Sequence, residues 1–114
     1  MPVGQTHIGP ATPMGASLVA DGSTFRFWAP RAISVYLVLN PGVGYHPNPE
    51  DELVRDPATG HWTGFVPGVA DGTPYRFFVV GTGGAGFKRD PWTRELANNG
   101  WRYVCVVRGI DEYS

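Results

Sequence analysis

A glycine-rich stretch, an acidic triplet, a lone cysteine and several dispersed aromatic side chains are where this 114-residue sequence could do chemistry. Gly81-Thr82-Gly83-Gly84-Ala85-Gly86 fits the G-x-G-x-x-G spacing of a pyrophosphate cradle and follows a strand-like run. Such a cradle works only where the glycines open a helix whose N-terminus receives the phosphate. Here Phe87-Lys88-Arg89-Asp90-Pro91 follows, with a proline and no helical period, so the stretch reads as a hairpin loop without a nucleotide. Glu50-Asp51-Glu52 lacks the spaced ligands of a calcium loop. The histidines and the cysteine lack the spacing of a zinc site, so neither metal nor other cofactor is expected. Cys105 sits in Val104-Cys105-Val106-Val107 and reads as a buried core thiol. A nucleophilic cysteine would need a histidine alongside, and His7, His46 and His61 lie in turn or glycine- and proline-rich contexts.

The aromatic residues are more informative. Tyr45 lies in a loop, Trp62 opens a strand, and Phe87 and Trp92 flank Lys88-Arg89-Asp90-Pro91. A sugar ring stacks its axial C–H face on a flat aromatic side chain, while arginine, lysine and asparagine hydrogen-bond its hydroxyls. An exposed ring beside a cation therefore suits a glucan. The structural alternative is that Trp62 and Trp92 cap the ends of a packed core.

Short strands must position these groups. Phe25 and Phe27 alternate with Arg26 and Trp28 before Ala29-Pro30 ends the run, because proline lacks a ladder N–H. Asp21-Gly22 predicts a hairpin turn between Ser17–Ala20 and Ser23–Trp28. In Ile33–Asn40, Ile33, Val35, Leu37 and Leu39 share one face, opposite Ser34, Tyr36, Val38 and Asn40. Residues 41–51 form a loop. Leu53–Asp56 and His61–Val66 flank the turn Pro57-Ala58-Thr59-Gly60, and Val69-Ala70-Asp71-Gly72 leads into Thr73–Val80. A last strand spans Gly100–Arg108, after a single helical turn at Thr93–Asn98. Turn signals every eight to twelve residues, roughly, predict an all-β, immunoglobulin-like sandwich of about seven strands. Phe25, Phe27, Val35, Leu37, Tyr75, Phe77 and Cys105 are its expected core.

Composition agrees. The chain is 42% hydrophobic and 13% aromatic, enough for a core, and its 16 glycines and 11 prolines fall between the strand-like runs. A net charge of -1 implies no basic face and no nucleic-acid partner. The N-terminal stretch lacks the regions of a secretory signal, and no apolar run has membrane-spanning length, so a soluble, cytoplasmic protein without a membrane partner is expected.

Three ordered motifs resemble one family. They are Pro13-Met14-Gly15-Ala16 with Phe25-Arg26-Phe27-Trp28-Ala29-Pro30; Gly72-Thr73-Pro74-Tyr75-Arg76-Phe77; and Lys88-Arg89-Asp90-Pro91. With Ala32, Val35, Leu37, Trp62 and Val66-Pro67-Gly68 in place, the chain resembles the family-48 carbohydrate-binding module. That module is the N-terminal domain of the isoamylase and glycogen-branching-enzyme group of the alpha-amylase superfamily. Arg89–Leu96 and Cys105–Arg108 are similar to the stretch that leads into the catalytic barrel of those enzymes.

The resemblance implies an extended lead-in at residues 1–12, a sandwich domain at 13–108 and, at 109–114, the start of a linker to a catalytic barrel. It implies a non-catalytic domain that binds or helps position α-glucan in a glycogen- or starch-acting enzyme, a glycoside hydrolase or branching enzyme. The alternative is a domain that braces the barrel without binding sugar. Chemistry by this chain alone is not expected: glycoside hydrolysis in that superfamily uses carboxylates on a barrel of about 250 residues. Carried over by motif, Arg76 takes the place of a sugar-contacting lysine and Phe87 that of a tryptophan. The related glycogen-binding domain of the AMP-activated protein kinase β subunit has a further tryptophan in an F-N-x-W turn. Here Asn40–His46 has none, and Tyr45 replaces that ring only if the loop folds back. The expected sugar site is Tyr45, Arg76, Phe87 and Lys88, with weak or no affinity. Trp28 is expected to pack rather than to bind, and an exposed apolar face is expected near Trp92 and Trp101.

Overall fold

The protein, described here as a computed structural model, is defined over residues 3–40, 45–88, 91 and 105–107. Trp92, Trp101, the expected turn at Thr93–Asn98 and most of the expected last strand lie outside these residues. The described residues form β1 (Gly15–Val19), β2 (Gly22–Trp28), β3 (Ser34–Leu39), β4 (Val54–Arg55), β5 (His61–Pro67), β6 (Pro74–Gly81), β7 (Gly84–Lys88) and β8 (Cys105–Val106). One sheet runs β1-β2-β5-β4; the other runs β3-β6-β7, with β8 beside the start of β6. All pairs are antiparallel. The fold is an all-β sandwich, and no helix among the described residues is long and apolar enough to cross a membrane.

Period-two alternation explains the core. Phe25 and Phe27 of β2 point inward and meet Tyr75 and Phe77 of β6, with centroids 5.3 Å apart for Phe25–Tyr75 and 4.5 Å for Phe27–Phe77. Val35, Leu37, Leu53, Trp62, Cys105 and Val107 complete this core, so all seven residues expected there belong to it. Cys105 is a buried free thiol. The glycine stretch is a hairpin: Gly81 pairs with Gly84 and Val80 with Ala85, leaving Thr82-Gly83 as the turn.

Several expectations change in detail. The first hairpin turns through Ala20-Asp21, because Val19 already pairs with Gly22. Gly22 is needed for a different reason: a Cβ there would lie 2.2 Å from the Val66 carbonyl oxygen. Ile33 precedes β3 and is 59% exposed rather than inward-facing. Val38 is buried although it lies on the outer side of β3.

Two irregular segments close the architecture. After β3 the chain returns along the same strand, where Tyr36 bridges Glu52 and the Leu53 N–H donates to the Val35 carbonyl. It then crosses to the other sheet as β4. Residues 3–12 run beside β5 and over its outer side chains. Gly4 bridges Phe65, the His7 ring lies 5.0 Å from that of Phe65, and Arg26 donates to the Thr12 carbonyl. His7 also meets Asp21 at 3.0 Å.

Candidate functional site

The outer face of the β3-β6-β7 sheet carries a cluster of rings. Alternation in β6 sends Tyr75, Phe77 and Val79 inward and leaves Arg76 and Phe78 outside. Phe78 pairs with Tyr36 of β3 on one side and with Phe87 of β7 on the other, so three rings from three strands form a row. The Phe78 centroid lies 5.1 Å from Phe87 and 6.4 Å from Tyr36. Tyr45 arrives from the loop after β3, and its ring stands 5.6 Å from Phe78 and 6.2 Å from Phe87. The loop therefore folds back.

A short 3-10 turn at Pro49–Asp51 helps fix that loop. The Asn48 side chain accepts from the Glu50 N–H, capping the turn, and Asp51 accepts from the Tyr45 hydroxyl at 3.0 Å. Burial, reinforced by the hydrogen bond to Asp51 and its charge, pushes the Tyr45 phenol up to about 12. Its hydroxyl thus stays a neutral donor at physiological pH.

Arg76 lies over this cluster. Its guanidinium carbon is 3.4 Å from the Phe87 ring centroid, a cation–π contact. Burial lowers its pKa from the ordinary arginine value, and arginine stays charged regardless. One face of Phe87 is thereby covered, and the ring is half-buried. The Tyr45 and Phe87 planes meet at 56°, forming an angled wall rather than a flat platform.

Of the four residues expected at the sugar site, three come together: Tyr45, Arg76 and Phe87. Lys88 does not join them. It is exposed and pairs with the inward-facing Phe77, so alternation directs it to the opposite side of β7 from Phe87. Sequence reasoning missed Phe78, the ring that joins the cluster, and Asp51, which holds Tyr45. Phe78 was legible, since it is two residues from Arg76 in one strand and must share its face. Asp51 was not, because a loop contact has no period.

Trp62, the other candidate aromatic, is buried in the core and donates its indole N–H to the Ala29 carbonyl at 2.9 Å. A cleft of about 330 Å³ opens elsewhere, lined by Val3, Leu37, Leu39, Phe65 and Val66, with Glu50 and Asp51 also bordering it. It is mainly apolar and lacks an arginine or lysine among its lining residues.

A β-sandwich with clustered aromatic rings and a guanidinium on one outer sheet face has the build of a carbohydrate-binding module. Residues 13–93 match carbohydrate-binding module 48 (isoamylase N-terminal domain), and the chain belongs to that family. It is 32% identical over 84 residues to 1,4-alpha-glucan branching enzyme GlgB 1 of Clostridium perfringens, covering 69% of this chain and 12% of that protein. Among solved structures, a pullulanase from Bacillus acidopullulyticus superposes with a TM-score of 0.70 at 25% identity, covering 88% of this chain and 12% of its own. PulA from Klebsiella pneumoniae gives a TM-score of 0.70 at 27% identity, covering 86% and 10%. The chain spans about an eighth of the length of these relatives.

Proposed function

We propose that the chain is an accessory domain of a glycogen- or starch-acting enzyme of the alpha-amylase superfamily, and that it binds α-glucan weakly on the outer face of the β3-β6-β7 sheet. The observation that carries this reading is the returned loop, which sets Tyr45 6.2 Å from Phe87 while Arg76 lies on the same ring. The angled pair suits an α-1,4-linked chain, whose successive sugar rings turn relative to one another. Arg76 donates to sugar hydroxyls, and the Tyr45 oxygen, whose proton goes to Asp51, accepts from one. The names of the relatives, a branching enzyme and pullulanases, support the choice of polymer and of parent enzyme. Catalysis belongs to the parent, and the purified chain should neither cleave nor branch starch.

Affinity is expected near millimolar at best. A millimolar constant corresponds to only about 4 kcal/mol, which a stacked ring and one cation supply after the cost of association. Titration with a linear malto-oligosaccharide, followed by NMR shifts, tests the site. Arg76→Ala and Phe87→Ala should each abolish the response at this face; wild-type binding by both would overturn the assignment. One observation favours the second reading, that the domain chiefly braces a catalytic barrel. Arg76 already occupies a face of Phe87, leaving less ring for a sugar. Under that reading neither the wild type nor the variants respond.

A further inference from the structure

Trp28 occupies the opposite outer face, on the end of β2, and is 57% exposed. An exposed tryptophan alone is unremarkable, but this one is fixed. Its indole N–H donates to the Thr59 carbonyl at 2.9 Å, which satisfies its polar atom and sets its plane. The Pro57–Gly60 turn that supplies this carbonyl is itself held. The Gly60 N–H donates to the Asp56 carbonyl at 2.8 Å, and the Gly60 carbonyl accepts from the Ala29 N–H at 3.1 Å. Gly60 has φ +81° and is buried; a Cβ there would meet Pro30 at 2.6 Å. The Trp-Ala-Pro end of β2 thus clamps the turn that clamps the tryptophan.

The surroundings of the ring are polar. Its cross-strand partner is His61, directly opposite in the β2–β5 register and therefore on the same face. The His61 Nδ1 shares a hydrogen bond with the Thr59 hydroxyl at 2.8 Å, so the imidazole is held, and among the described residues none bonds its Nε2. A fixed aromatic plane flanked by an imidazole and a hydroxyl matches a ligand with one apolar face and a polar rim, which describes a pyranose ring.

We propose that Trp28 and His61 form a second sugar-stacking platform, independent of the Tyr45–Phe87 cluster and on the other side of the sandwich. Its ligand class is a neutral glucan, a choice that rests on the preceding functional reading, whereas the platform itself is argued from the way Thr59 holds Trp28 and His61 side by side. Two sites on opposite faces would let one domain hold two strands of a branched polymer, and avidity would then exceed either single affinity.

The test is titration of the 114-residue chain with maltoheptaose, following backbone and indole N–H signals, for the wild type, Trp28→Ala, Trp28→Phe and Phe87→Ala. The wild type should show shifts around Trp28 and His61. Trp28→Ala should lose them and leave any response around Phe78 and Phe87 intact, while Phe87→Ala should do the reverse. Trp28→Phe should keep a weakened response, which separates loss of a stacking ring from loss of fold. Retention in a glycogen gel should fall at least ~10-fold in Trp28→Ala. Trp28 and His61 signals that stay still at saturating maltoheptaose, or that move with protein concentration instead of sugar, would overturn the proposal. Movement at Trp28 with none at Phe87 would overturn the first site and keep the second.

Discussion

The two outer faces of the sandwich hold their aromatic side chains by different means. On the β3-β6-β7 face, rings from three strands and one loop touch one another, and a guanidinium lies on the last of them. Each ring there depends on its neighbours, and the Tyr45 ring depends on a loop anchored through Asp51. On the β1-β2-β5-β4 face, Trp28 is held by backbone: a carbonyl of a tight turn that is itself packed on Pro30. The first arrangement is a cooperative cluster that gains order by partly burying its members. The second keeps its ring in water and holds it at one edge. Substitutions should therefore disturb the two faces separately unless they reach the shared core.

Phe77→Ala reaches it. Phe77 is fully buried and packs on Phe27, so the loss should be about 3–5 kcal/mol and both faces should fail together in chemical denaturation. Gly60→Ala comes next. It forces a side chain onto Pro30 from a left-handed backbone, and should cost more than about 2 kcal/mol. If the chain still folds, tryptophan fluorescence should report a loosened Trp28 while the NMR signals of Tyr45 and Phe87 stay put. Equal disturbance of both faces by Gly60→Ala would break the contrast.

Phe87→Ala should cost about 1 kcal/mol or less of stability, since the ring is half-buried at a sheet edge, yet it removes the surface that Arg76 covers. Thermal denaturation beside a maltoheptaose titration separates the two effects. A smaller effect is expected from pH. The Tyr45 phenol stands near 12 in the folded chain against an ordinary value of 10, so the folded state keeps a proton that the unfolded state releases. Stability should be level below pH 10 and fall as pH rises from 10 towards 12. The loss should be under about 1 kcal/mol because solvent screens this part-buried group. Asp51→Asn should lower the phenol towards 10 and flatten that slope, as read by urea denaturation at pH 9 and pH 11. Lys88→Ala should change stability and sugar response by less than about 0.5 kcal/mol, because Lys88 is exposed and points away from Arg76.

Much of the architecture was legible in the sequence because strand alternation and turn chemistry are local. Phe25, Phe27, Tyr75 and Phe77 are inward in the structure as their spacing demands, and Gly81–Gly84 closes a hairpin as its glycines and the following proline imply. The same rule, applied strictly, also separates Lys88 from Phe87. The site was half legible. Arg76 and Phe87 lie on adjoining strands, whereas the arrival of Tyr45 depended on the contacts of residues 45–51, which carry no periodic signal.

Trp28 shows where local reading ends. Alternation turns it outward and Pro30 ends its strand, and both are properties of the sequence. Packing was nevertheless the expected role, since nothing local says whether another segment covers an outward ring. That depends on residues distant in the chain. Residues 3–12 cover Phe65 through His7, while the turn at Thr59 reaches Trp28 only at its edge and leaves 57% of it in solvent. The sequence by itself determined which side of each strand a residue takes, because the pleat alternates with a fixed period of two. Tertiary structure decided which outward residues are buried, paired or left open, because that follows from long-range contacts between segments with no shared period.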